Sequence, residues 1–169
     1  VEVRLRTTIT PSSLTVYEVY CSVMPSDPYC HIARWNGPNG GYCNIESSAP
    51  LISLVNGDVL TGTVSGTNPV IIKGYRNGVQ IMQAQDTGGD CSPGGPGGPW
   101  TSGSPGIGFY DNQDNNWNTF GFSRFNASAG SCNGLADTTS PSQVTGLTAT
   151  VVSSSQINLA WTVATDNIG

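Results

Sequence analysis

Alternation constrains this chain more than any other feature. Val1, Val3 and Leu5 take every second position while Glu2, Arg4 and Arg6 take those between, the period-two pattern of a strand with one dry and one wet face. The same pattern recurs in short runs, and no long stretch places apolar residues at the i, i+3, i+4 and i+7 positions of an amphipathic helix. Charged residues make up only 10% of the chain, against a usual quarter or so, while glycine alone occurs 22 times. A chain that is polar without being charged, and poor in the good helix formers, is built for strands and turns.

The runs order themselves into a meander. Residues 14–23 read as a second strand, Pro25-Ser26-Asp27-Pro28 as a turn, 30–35 as a third strand and 42–46 as a fourth, reached through the Gly- and Asn-rich turn 36–41. Further strands are expected at 59–64, 69–76 and 79–84. The last two face each other across Asn77-Gly78, a pair suited to a type I′ turn because both central residues need positive φ. Residues 87–105, dominated by Gly, Pro and Ser, read as a long surface loop, and 106–110 and 118–127 as closing strands. Residues 131–142 read as a linker, and two final strands flank Ser153-Ser154-Ser155. The predicted organisation is therefore an all-β domain over 1–130, a linker over 131–142 and a partial domain over 143–169, since two strands make no sandwich alone.

Charge and hydropathy remove several partners. A net charge of −5 with six scattered Lys and Arg leaves no basic footprint for nucleic acid, and the apolar runs are far shorter than the roughly 20 residues of a membrane helix. Five cysteines, Cys21, Cys30, Cys43, Cys91 and Cys132, fit no zinc spacing and are read as disulfide-forming, which predicts a secreted or cell-surface protein. Pairing the second and third strands about their turn sets Cys21 opposite Cys30, at a cross-strand separation close to what a disulfide needs. Cys91 and Cys132, both flanking sandwich edges, are the second expected pair, which leaves Cys43 unpaired or bonded outside this sequence. Asn126-Ala127-Ser128 is a glycosylation sequon, and any signal peptide is expected to lie outside the sequence or to have been removed.

Two resemblances add to this reading. The run Pro141-Ser142-Gln143-Val144-Thr145-Gly146-Leu147-Thr148-Ala149-Thr150, with Ile157-Asn158-Leu159-Ala160-Trp161, resembles the first two strands of a fibronectin type III module, which makes Trp161 a core residue. Tyr17-Glu18-Val19-Tyr20 with Ile32-Ala33-Arg34-Trp35, Asn56-Gly57-Asp58-Val59-Leu60 leading to Tyr75-Arg76-Asn77-Gly78-Val79, and Ser104-Pro105-Gly106-Ile107-Gly108-Phe109-Tyr110 resemble the later part of a concanavalin-like, laminin-G-like lectin or glucanase domain. The resemblance implies a jelly-roll β-sandwich whose first strands precede Val1, followed by a partial immunoglobulin-like sandwich, as in secreted bacterial modular proteins.

Chemistry in the sequence points to binding before catalysis. Glu2, Glu18 and Glu46 stand apart, with no E-x-D-x-x-E run to supply the carboxylate pair of a glycosidase. His31, Arg34 and Tyr42 could make a lyase set, but a polar sheet brings such residues together by accident, and His31 is read as an ordinary strand residue. Sugar binding asks for exposed aromatic faces and short polar side chains, and Trp100, Tyr29, Trp35, Tyr42 and Asn36 are the candidates. Trp35 and Trp117 compete as plugs of the core. Asp111, Asn112 and Asp114 could hold calcium through oxygen ligands, or simply form Asx turns. The expected function is a non-catalytic carbohydrate-binding or adhesive module, its partner a glycan or a cell-surface protein. The alternatives are a fibre subunit completed by strands from other copies of itself, and a fragment of a polysaccharide hydrolase or lyase.

Overall fold

The computed structural model describes residues 1–38, 41–91, 94–110, 121–128 and 142–165. Among these there is no helix, and every strand pairs antiparallel with its neighbour. The strands are β1 (Glu2–Thr10), β2 (Ser13–Cys21), β3 (Cys30–Gly37), β4 (Tyr42–Asn44), β5 (Leu60–Ser65), β6 (Val70–Arg76), β7 (Val79–Asp86), β8 (Gly89–Cys91), β9 (Gly95–Gly97), β10 (Ser104–Gly108), β11 (Thr145–Ser153) and β12 (Gln156–Thr162). The chain forms two compact units, Val1–Gly130 and Ser131–Gly169.

In the first unit a five-stranded sheet, ordered β10-β1-β2-β3-β4, packs on a three-stranded sheet, β5-β6-β7. One apolar core lies between them. Val3, Leu5, Tyr17, Val19, Cys21, Cys30 and Ile32 enter it from the larger sheet, and Val70, Ile72, Met82 and Ala84 from the smaller. Alternation decides this division, since each of these residues is two positions from the next on its strand. The sheets approach closely over two glycines paired in register, Gly62 and Gly74: a Cβ at Gly62 would stand 3.2 Å from Leu5, Val19 and Val3, and one at Gly74 2.7 Å from Met82 Cε. At the β6–β7 hairpin Asn77 and Gly78 have φ of 52° and 79°, the backbone of a type I′ turn.

Two disulfides fasten the unit, which suits an oxidising compartment. Cys21 and Cys30 are directly opposed on β2 and β3 and are bonded. Cys91 is bonded to Cys43 and not to Cys132, which lies outside the described residues. Cys43, opposite Arg34 on β4, faces the inner side of the sheet where β8 passes, which brings the two Cα atoms to 6.0 Å.

The Gly- and Pro-rich stretch differs from the expected open loop. It contains the β8–β9 hairpin, and a buried polar network holds it to the sheet. Arg34, 2% exposed, pairs with Asp86 through Nη1 at 2.5 Å and donates through Nη2 to Gly89 O at 2.7 Å. Asp86 also accepts the Tyr17 hydroxyl proton and the Gly88 N–H, while Tyr17 Oη accepts the Trp100 N–H. The strand expected at 118–127 is not found in its described part: residues 121–128 form none, and Phe122 packs near Phe109 with ring centroids 5.3 Å apart.

In the second unit β11 and β12 form a hairpin. The register pairs Ala149 with Leu159 and Val151 with Ile157, so one face gathers the apolar side chains, and Val151, Ile157, Leu159 and Trp161 stay exposed. Among the described residues no helix is long and apolar enough to cross a membrane.

Candidate functional site

The face of the five-stranded sheet turned away from the core carries the polar and aromatic half of the alternation. Register arranges it in rows across the strands. Gly108, Glu2, Tyr20 and His31 form one row, which Glu46 extends past β4. Gly106, Arg4, Glu18, Ala33 and Asn44 form the next, and Val16, Trp35 and Tyr42 a third.

A bulge sets how β1 joins these rows. Near the turn Thr10 opposes Ser13, and unbroken pairing from there would set Glu2 against Cys21 and Arg4 against Val19. The register instead shifts between Leu5 and Thr8, where Arg6 adopts a φ of 53°, and beyond it Glu2 meets Tyr20 and Arg4 meets Glu18. Arg6 is held there by donating to Trp100 O at 2.8 Å and Gly66 O at 2.9 Å.

The half over β1 and β2 is closed. Glu2 is 8% exposed and Glu18 only 3%. Arg4 stands between them, its Nη2 donating to Glu2 at 2.8 Å and its Nε 2.9 Å from Glu18 Oε1. That second contact is an ion pair without hydrogen-bond geometry, and it leaves both Arg4 Nε and Glu18 Oε1 buried and unbonded. The other oxygen of Glu18 accepts the Trp35 indole N–H at 2.6 Å. Burial first, and then the charge of Glu2, push the Glu18 carboxyl up to about 7 against the pull of Trp35 and Arg4. Gly108 makes room for this cluster, because a Cβ there would lie 2.6 Å from Arg4 Cζ.

The half over β3 and β4 is open. Trp35 and Tyr42 stack with centroids 4.8 Å apart and planes at 27°, and Tyr42 is 41% exposed. Beside them Tyr20, Tyr29 and His31 form a ring cluster with centroids 5.4 to 6.0 Å apart. Tyr20 donates to Asn44 Oδ1 at 3.0 Å, and burial holds both phenols above their ordinary range, so they remain neutral donors. His31 Nδ1 lies 2.5 Å from Glu46 Oε1, while Glu46 Oε2 accepts the Ile32 N–H at 3.0 Å.

Of the sequence candidates, Tyr29, Trp35 and Tyr42 belong to this face. Trp35 is thus no core plug, and it lies partly exposed over the sheet. Asn36 and Trp100 do not belong to it. Asn36 sits on the inner side, bonded to Gly94 O, Gly95 O and Arg34, and Trp100 packs against the core with its indole N–H on Trp35 O. Trp117 and the calcium candidates Asp111, Asn112 and Asp114 lie outside the described residues, among which no three metal-ligating side chains come together. Asn126 is exposed. The residues the sequence left scattered, Glu2, Arg4, Glu18, Tyr20, Asn44 and Glu46, are joined by cross-strand pairing, and Glu2 and Arg4 could be grouped with Tyr20 and Glu18 only by a register read with the bulge in place. No family model, curated protein or solved structure matches this chain.

Proposed function

We propose that this chain is a glycan-binding module of a secreted modular protein, a concanavalin-like, laminin-G-like sandwich followed by the opening strands of a fibronectin type III domain, and that it takes uncharged sugars. One observation carries the reading: an exposed Tyr42 stacked on Trp35 adjoins polar side chains of the neighbouring rows, Asn44 and, beyond it, Tyr20 and His31. An aromatic plane covers the apolar face of a pyranose, and these side chains meet its hydroxyls. Charge selects among sugars. Among the described residues of the face Arg4 is already engaged with Glu2 and Glu18, and His31 lies against Glu46, so a uronate or sulfate would meet carboxylates and find no free partner. An oligosaccharide array spanning neutral and uronate glycans tests this. Binding to neutral members is expected, weakened about fivefold by Tyr42→Ala, as loss of a stacking contact of roughly 1 kcal/mol implies. A chain that binds no sugar at micromolar concentration overturns the reading, as a purely structural subunit would.

A second reading, hydrolysis of a glycosidic bond, has one observation in its favour. Glu2 and Glu18 converge on Arg4, and the elevation of Glu18 to about 7 lets its carboxyl hold a proton near neutrality, as a general acid must. Turnover on a polysaccharide panel, abolished by both Glu2→Gln and Glu18→Gln, would establish it.

A further inference from the structure

We propose that Glu18 is a proton-operated hold on the Trp35–Tyr42 shelf: ionised, it fixes the indole, and protonated, it slackens its grip, so that ligand binding weakens on acidification. The part concerning ligand rests on the glycan-binding reading above, whereas the hold itself is a property of the unliganded protein. Its basis is geometric. The Glu18 side chain is 4% exposed and is the hydrogen-bond acceptor for the indole on which the exposed Tyr42 is stacked. Its other oxygen has no donor in hydrogen-bond geometry and is held by the ion pair with Arg4 Nε at 2.9 Å alone, so protonation there gives up that ion pair while Arg4 keeps Glu2 as its partner. Protonation turns Oε2 from a carboxylate oxygen into a carbonyl oxygen, and a charge-assisted bond to the indole becomes a neutral one of roughly half the strength.

The surrounding groups leave Glu18 as the carboxylate free to change state. From β1 it faces Glu2 and Arg4, and Arg4 is shared between the two carboxylates. β2 itself adds Tyr20, a neutral phenol bonded to Asn44. From β3 come Trp35 and His31, and His31 is already committed to Glu46, which lies past β4 and also holds a backbone N–H. β4 adds Tyr42 and Asn44, and β10 brings only Gly106, Ile107 and Gly108 to this region. Burial and Glu2 together set the change close to neutral pH.

The indole N–H resonance of Trp35, identified among the four tryptophans by its loss in Trp35→Phe, reads the hold directly in the intact chain without any sugar. It should titrate with a midpoint near 7, lose that transition in Glu18→Gln, and keep it in His31→Asn, which removes the neighbouring imidazole. Glu2→Gln should lower the midpoint, because the charge of Glu2 helps to raise it, and this variant serves if Glu18→Gln fails to fold. Affinity for a neutral oligosaccharide should drop several-fold from about pH 8 to about pH 5.5 in the wild-type chain and stay level in Glu18→Gln. A flat indole resonance in the wild type, a transition that survives Glu18→Gln, or a midpoint unmoved by Glu2→Gln overturns the proposal. A titrating indole with no sugar bound at any pH upholds the hold and refutes the glycan reading instead.

Discussion

Arg34 and Asp86 show at the scale of one residue why a buried charge must be accompanied. Both side chains are almost wholly enclosed, and each is surrounded by further partners: Asn36 and Gly89 O around Arg34, Tyr17 and the Gly88 N–H around Asp86. An ion pair so placed adds little over an apolar replacement of the same shape, but removal of one member strands the other in a medium that solvates it poorly. Asp86→Ala should therefore destabilise the protein by about 3 to 5 kcal/mol in urea denaturation, and Asp86→Asn by clearly less, since the amide retains an acceptor for Arg34. Tyr17→Phe deletes a hydroxyl that both donates to Asp86 and accepts from Trp100, and about 1 to 3 kcal/mol should be lost with it. The phenol is held above its ordinary range by burial first and by Asp86 next, so its loss is expected to be independent of pH across the neutral region.

At the scale of elements, close approach and cross-links govern which substitutions the unit tolerates. Gly74 lies where β6 meets both the five-stranded sheet and Met82 of β7, and even a methyl group would press on Met82 and on Val19 at 3.0 Å. Gly74→Val should cost about 1 to 3 kcal/mol by overpacking, read as a lowered denaturation midpoint with unchanged slope. The Cys43–Cys91 bridge closes a span of 48 residues, so replacing both cysteines by alanine should lower stability by about 2 to 4 kcal/mol and loosen the β8–β9 hairpin first. These elements also mark what could be read in advance. Asn77-Gly78 announced its hairpin because few residue pairs accept two positive φ values in succession, and Cys21 opposite Cys30 followed from the short turn between their strands. The bulge at Arg6 left no such mark: Arg is not a residue that favours positive φ, and its conformation is fixed by Trp100 O and Gly66 O, distant in sequence. Since that one residue decides that Glu2 and Arg4 share rows with Tyr20 and Glu18, the carboxylate cluster was hidden, whereas the rows across β2, β3 and β4 follow from an unbroken register. The hairpin inside the Gly- and Pro-rich stretch was hidden for a related reason, because its partners, Arg34, Asn36 and Cys43, all lie on other strands.

At the scale of the whole molecule, two carboxyl groups displaced in opposite directions shape the dependence of stability on pH. Asp58 is held down to about 2 by the Val55 N–H first and by Arg76 and Asn77 after it, so its contribution is fully present above its ordinary value of 3.8 and is lost as the pH falls toward 2. Glu18 behaves in the reverse way. Its carboxyl rises from 4.5 when unfolded to about 7 when folded, and between those values the folded chain binds more protons than the unfolded one. Stability must then fall as the pH rises through that interval, and above 7 the protein carries a buried anion that the unfolded chain would leave in water. At about 1.4 kcal/mol for each unit of displacement, the loss is of order 1 to 3 kcal/mol once solvent screening at the remaining exposure is allowed for. Glu18→Gln removes the ionisation, so the variant should gain on the wild type steadily from pH 5 to pH 8 in urea or thermal denaturation, with little difference below pH 4.5. A wild-type profile that rises over the same range would mean that Arg4 and the indole outweigh burial. The anion that weakens the fold is the same one that accepts the Trp35 indole N–H, so across this interval the stability of the fold and the strength of that hydrogen bond change in opposite directions with pH.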